Sequence, residues 1–177
     1  MSSVLKFLTI PSAPLETAFY KMAKDYRDSD DWRYYKDVIR EGFDFKDYLT
    51  RHRQNALGVD LEEGLVPFTT FWLIDDKVDT VYGVSRLRHR LNKISRKEGG
   101  HIGYDVPPSL RGLGNATEIL RLTIIKAKEM GILRALLTCD ADNIASVRVI
   151  EKNSGMLENQ IVSDYTGKVV NRYWINC

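Results

Sequence analysis

The chain has 177 residues, 44% of them hydrophobic and 28% charged, with a net charge of +2 at pH 7. That is the composition of an ordinary globular protein, long enough to bury a core without cross-links and too weakly basic to carry a nucleic-acid footprint by charge alone. Its two cysteines, Cys139 and Cys177, make neither a disulfide framework nor a paired metal spacing, and fit a reducing, cytoplasmic setting. No run reaches the ~18 apolar residues of a membrane span, so no membrane partner is expected. Residues 1–10 are apolar but carry Lys6 and no small-residue cleavage site, and read as a first strand rather than a signal peptide.

Pro11 and Pro14 end that strand and prepare a helix with apolar positions at Leu15, Phe19 and Met22. Ser29 suits the N-cap of a second helix, and a third is expected over residues 44–57, before the loop marked by Gly58 and Gly64. This first third is rich in aromatics (Phe19, Tyr20, Tyr26, Trp32, Tyr34, Tyr35, Phe43, Phe45, Tyr48). At helical spacing such residues are more often core than an acceptor pocket, and they define no site. From residue 66 the pattern turns to strands: 67–74, a tight turn at Asp75-Asp76-Lys77, then 78–91. A loop rich in Lys and Arg follows, then a strand at 99–106. Helical periodicity runs through Ala116, Ile119, Leu120, Thr123, Ile124 and Ala127 and stops at Gly131. A buried strand at 132–139, a helix at 143–153 ending near Gly155, and strands at about 157–165 and 169–176 around Thr166-Gly167 complete the chain. The fold class is α/β with a mixed sheet.

Between the strand at 99–106 and its following helix lies Arg111-Gly112-Leu113-Gly114-Asn115-Ala116. The first N–H groups of a helix lack intrahelical partners, and its dipole favours an anion there. Gly112 and Gly114 let the backbone take positive φ and approach a ligand closely, and Arg111 can add a formal charge. The bland reading is a strand-to-helix turn with glycines for geometry. A Walker loop is excluded because no Lys follows Gly114. A dinucleotide fingerprint is disfavoured by Thr117 at the third small position and by the longer Pro107-Pro108-Ser109-Leu110 approach.

Arg111-x-x-Gly114-x-Ala116 resembles the Arg/Gln-x-x-Gly-x-Gly/Ala signature of the GCN5-related N-acetyltransferases (GNAT), whose corresponding loop binds the pyrophosphate of acetyl coenzyme A. The resemblance extends over residues 66–177. His101-Ile102-Gly103-Tyr104-Asp105-Val106 resembles that family's fourth strand and Leu136-Leu137-Thr138-Cys139 its fifth. Asn143-Ile144-Ala145-Ser146 with Glu151-Lys152-Asn153-Ser154-Gly155-Met156 is similar to its Asn-x-x-Ser…Glu-Lys-x-Gly-Phe block. Pro67-Phe68-Thr69, Arg88-His89 and Arg172-Tyr173-Trp174-Ile175 look like a bacterial, largely uncharacterised branch. The resemblance implies a single GNAT domain over 1–177, with a variable, mainly helical part at 1–65 and an acyl-CoA-binding core at 66–177. It implies a mostly antiparallel twisted sheet of about seven strands flanked by helices. Acetyl-CoA is the implied co-substrate, with no metal, held by Tyr104, Asp105, Val106, Arg111, Gly112, Leu113, Gly114, Asn115, Ala116, Asn143 and Ser146.

The implied chemistry is acetyl transfer to a primary amine by direct attack, with a backbone N–H of the family's fourth strand, near residues 104–106, as oxyanion donor. Relatives often place a Tyr immediately before Glu151-Lys152 to protonate the leaving thiolate, and here that residue is Ile150, so another acid, a water or unassisted departure must serve. Glu98 and His101 are the candidate bases, either acting through water. The bland alternatives are a solvated loop carboxylate and a hydrogen-bonded histidine at a strand entrance. His89 reads as a satisfied core or edge histidine, and Cys139 as core. The basic run from Arg86 through Lys97 is by default a solvated face, and otherwise attracts an acidic substrate or the cofactor's 3′-phosphate. The acceptor is expected to be a small-molecule amine, an amino acid or a protein amine, and not a nucleic acid. A homodimer built on the final strand is a further expectation. Rival readings are a non-catalytic acyl-CoA-binding module and an O-acyltransferase.

Overall fold

The computed structural model describes residues 5–31 and 42–177. The helix expected after Ser29, together with Trp32, Tyr34 and Tyr35, lies outside the described residues. Strand β1 (Lys6–Thr9) leads through a 3-10 turn at Ala13–Leu15 into α1 (Glu16–Asp28). Ser29 closes α1, its N–H bonding to the Asp25 carbonyl. Helix α2 (Phe45–Leu57) starts where Asp44 accepts a hydrogen bond from the Asp47 N–H and stops at Gly58, a left-handed residue.

Strands β2 (Phe68–Asp75) and β3 (Gly83–Arg88) form a hairpin. The second strand is shorter than the residue pattern predicts. Val78 has φ +59, and the Asp75 carboxylate accepts hydrogen bonds from the Lys77 N–H and the Tyr82 hydroxyl, so the chain reaches extended geometry only at Gly83. The basic segment after it is not a plain loop. Asn92 and Ser95 cap each other reciprocally and start a one-turn helix, α3 (Lys93–Lys97). Gly99 and Gly100, at φ +105 and +61, then delay β4 to Ile102–Asp105. A second 3-10 turn (Pro108–Leu110) precedes α4 (Asn115–Glu129), and β5 (Arg134–Asp140), α5 (Ile144–Lys152), β6 (Met156–Val162) and β7 (Val169–Asn176) follow.

Seven strands among the described residues form two antiparallel groups, in the order β1-β2-β3-β4 and β5-β7-β6. The groups meet at β4 and β5, which share no ladder. Strand β7 therefore pairs on both edges within the chain, and β6 offers the outer edge of its group.

Alternation along β2 divides the core. Trp72 and Ile74 face α1 and α2, packing with Phe19, Met22, Phe45, Leu49 and Val84; Phe71 faces the other way, with Leu87, Ile102, Leu120, Leu137, Ile150 and Tyr173. The first cluster holds several aromatic rings, with Phe19 stacked on Trp72 at 5.7 Å between centroids. Helix α4 lies on the second side, tied to β3 by a buried Ser85–Thr123 hydroxyl pair at 2.7 Å. The sheet is thus covered on both faces. No described helix is long and apolar enough to cross a membrane.

Candidate active site

The turn at residues 111–116 has the geometry that its glycines imply. Gly112 and Gly114 sit at φ +74 and +82, and a Cβ on either would meet nothing within 4 Å. Gly114 is the N-cap of α4 and no side chain caps the helix, so its first amides are left for an external acceptor. Leu113 is exposed. The side chains around this turn brace it. Asn115 is buried, its Nδ2 donating to the Leu110 carbonyl at 2.9 Å and its Oδ1 accepting from Lys6 Nζ at 2.6 Å. Arg111 turns back toward β4: Nε donates to the Val106 carbonyl at 2.9 Å, and one terminal nitrogen lies 2.9 Å from Asp31 and 3.5 Å from Asp105. Its charge is matched by carboxylates rather than presented over the turn, and Asn115 offers a ligand only its backbone.

The gap between β4 and β5 begins at a staple. His101 donates its backbone N–H to the Leu136 carbonyl at 2.6 Å, and its ring Nδ1 accepts the Leu136 N–H at 2.9 Å. Gly99 N–H reaches Thr138 Oγ1 at 3.0 Å, and Arg88 holds the Gly99 and Gly100 carbonyls. Beyond His101 the strands part. Because the Arg88 N–H bonds to the His101 carbonyl and Arg86 lies opposite Gly103, alternation turns the Tyr104 N–H and carbonyl away from β3, into the gap. The Val106 N–H is taken by its neighbour's Asp105 carboxylate at 2.7 Å.

Across the gap, the Tyr104 hydroxyl meets Ser146 Oγ at 2.8 Å. Ser146 is held in the first turn of α5, where Asn143 caps the helix by accepting the Ser146 N–H. Burial is the main cause that pushes the Tyr104 phenol up to about 12. Cys139 is buried at the end of β5, and its thiol is likewise pushed up by burial. Ile150 is fully buried in the second cluster and carries no acid into the site.

The two candidate bases differ sharply. His101 is 9% exposed, and burial, aided by the charges of Arg96 and Arg88, lowers it to about 4. With Nδ1 already accepting from Leu136, the neutral ring carries its proton on Nε2 and has no lone pair to spare. Its geometry is that of a strut. Glu98 accepts from the buried Ser163 hydroxyl through Oε1 at 2.8 Å, while its Oε2 is buried without a partner among the described residues. His89 is satisfied by Thr69 at 2.8 Å. The Tyr104–Ser146 hydroxyl pair went unrecognised in the sequence as a source of acid chemistry. The only signal for it is that both residues lie in matched motif segments, 42 positions apart.

The profile of the Acetyltransferase (GNAT) domain family matches residues 14–156. The chain belongs to the GNAT acetyltransferases. The same fold recurs in solved structures. One is the acetyl transferase from Salmonella typhimurium that modifies the N-terminal serine of ribosomal protein L7/L12, at TM-score 0.65 and 17% identity over 99% of this chain and 96% of that one. Another is the microcin C7 self-immunity acetyltransferase MccE with acetyl-CoA and AMP, at 0.64 and 15% over 97% and 92%. A spermidine N-acetyltransferase SpeG chimera from Vibrio cholerae and hSSAT matches at 0.63 and 13% over 97% and 95%. Comparison with curated proteins found no match.

Proposed function

We propose that the protein is an N-acetyltransferase that transfers the acetyl group of acetyl-CoA to a primary amine by direct attack while both substrates are bound. The observation that carries this is the uncapped start of α4 behind two positive-φ glycines, which opens beside the gap between β4 and β5. Free first-turn amides suit a diphosphate, and MccE, of the same fold, holds acetyl-CoA. Bound acetyl-CoA would supply an activated thioester. The Tyr104 N–H, aimed into the gap, is the donor assigned to the developing oxyanion.

The Tyr104–Ser146 hydroxyl pair hydrogen-bonds the departing thiolate, standing in for the tyrosine that Ile150 replaces. With its phenol near 12, Tyr104 stays protonated and donates a hydrogen bond, while the thiol's proton comes from solvent. Glu98, with one carboxylate oxygen unpartnered among the described residues, is the base assigned to the acceptor ammonium, acting through water. Holding amine and thioester together supplies much of the acceleration. We assign the protein to the cytoplasm, in keeping with its free cysteines. A homodimer is assigned to β6, where exposed Met156, Leu157 and Val162 flank the outer edge; a monomeric mass in solution refutes that interface.

The test is calorimetric titration with acetyl-CoA, followed by an amine panel read as free CoA thiol. Binding plus amine-dependent thiol release is expected. Tight binding with no turnover on any amine would favour the non-catalytic acyl-CoA-binding module, the reading to which the buried Ile150 points.

A further inference from the structure

The turn between β6 and β7 grips the residue assigned as base, and the mechanism above gives that grip no role. Three consecutive residues at the end of α3 are held by this hairpin. Arg172 Nη2 donates to the Arg96 carbonyl at 3.0 Å, Lys97 pairs with Asp164, and Ser163 Oγ donates to Glu98 Oε1 at 2.8 Å. Ser163 is 2% exposed although it lies in a turn. Its backbone is fixed as well: the N–H donates to the Lys168 carbonyl at 2.8 Å, and the carbonyl accepts from the Gly167 N–H at 3.0 Å.

The direction of the Ser163–Glu98 bond is forced. A serine hydroxyl has one proton and two lone pairs. Ser163 Oγ accepts from the Tyr165 N–H at 3.2 Å and the Thr166 N–H at 3.1 Å, which occupies both lone pairs. Its proton can go only to a further acceptor, and Glu98 Oε1 is that acceptor. A glutamate side chain after a helix end is otherwise free to turn about several torsions. Here one carboxylate oxygen is fixed by a hydroxyl whose other two directions face backbone N–H groups. The second oxygen, Oε2, is buried and lacks a partner among the described residues. Buried polar atoms of that kind are rare and call for a partner. In the proposed mechanism that partner is the water between Glu98 and the acceptor.

We infer that Ser163 is a positioning residue for acetyl transfer: it pins Glu98 Oε1, so that Oε2 is the oxygen that takes up the acceptor's proton. This rests on the acetyltransferase reading with Glu98 as its base. One N–H proton of the bound ammonium passes through the water to Oε2, and the freed nitrogen pair attacks the thioester carbonyl carbon. The C–S bond breaks and coenzyme A leaves as the thiolate. The nitrogen loses a second proton to solvent, the thiolate gains one from it, and Oε2 returns its own.

The experiment follows thiol release from acetyl-CoA with the fastest amine of a panel. A general base contributes about 10²–10⁴-fold, so Ser163→Ala is expected to lower kcat roughly tenfold or more, with the KM for acetyl-CoA within about twofold of wild type. Ser163→Thr keeps the hydroxyl and should retain kcat within about threefold, on the same scale. Asp164→Ala loosens the same hairpin at the neighbouring ion pair and should leave kcat unchanged. In a Glu98→Gln background, Ser163→Ala should cost nothing further, because it acts through Glu98. If urea unfolding shows that Ser163→Ala does not fold, Ser163→Cys, close in size and a weak donor, carries the same expectation. Losses that add in the two backgrounds, or an equal loss in Asp164→Ala, overturn the positioning role and leave the acetyltransferase standing. Full activity in Glu98→Gln does the same. A wild-type protein that releases thiol with no amine sinks the acetyltransferase reading, and the positioning role falls with it.

Discussion

Replacing His101 by Asn separates a strut from a base. In the folded protein His101 stays neutral down to about 4, against 6.5 for the ordinary ring. Between those values the unfolded chain binds the extra proton and the folded chain does not, so stability rises with pH. The contribution is fully present above pH 6.5 and is lost as pH falls to about 4. At about 1.36 kcal/mol per pH unit, the gap comes to ~3 kcal/mol. Burial at 9% exposure justifies that scale, since solvent screening is small there. An Asn Oδ1 can accept the Leu136 N–H as Nδ1 does, without taking a proton. Urea unfolding at pH 7, 6, 5 and 4 should show His101→Asn close to wild type at pH 7 and losing ~3 kcal/mol less on acidification. His52, also lowered to about 4 by burial, supplies a comparable loss common to both proteins. Identical acid profiles for the two proteins would refute the strut. So would a folded variant whose turnover at pH 8 drops a hundredfold, as a lost base requires.

Gly100→Ala should destabilise by roughly 2–4 kcal/mol in the same assay, because φ is +61 and the new Cβ would sit 2.3 Å from the Leu136 carbonyl oxygen. Gly114→Glu should keep the fold, since space is open there, with about 1–2 kcal/mol of backbone strain; calorimetry should detect no acetyl-CoA binding, and retained affinity counts against the turn. Tyr104→Phe should lower kcat about 10- to 100-fold with acetyl-CoA affinity nearly unchanged, as expected for a hydrogen bond made in the transition state. With Tyr104 at about 12, the wild-type rate should show no alkaline limb from this phenol below pH 11. Glu98→Gln should depress turnover most at low pH, where the acceptor ammonium most needs a base, and an unchanged pH–rate profile removes Glu98 from the mechanism.

What could be read from the residues alone was local. Gly112 and Gly114 announce their φ values because only glycine adopts them without strain, and α4 follows from its apolar period. The Asn92–Ser95 cap was hidden because charge dominates that stretch and the helix lasts one turn. Strand ends were overextended where Val78, Gly99 and Gly100 leave extended geometry. His101 looked like a base because an imidazole at a strand mouth resembles one; its true partner, Leu136, is 35 positions away.

The sheet keeps two kinds of packing apart. Side chains from α1 and α2 fill one cluster, those from α4, α5, β5 and β7 the other. The turn at 111–116 does not share that separation: Lys6 reaches Asn115 and Asp31 reaches Arg111, so its shape is underwritten by the opening segment as well as by the core that follows. Drift in that segment can reshape the aromatic compartment only while those two tethers persist.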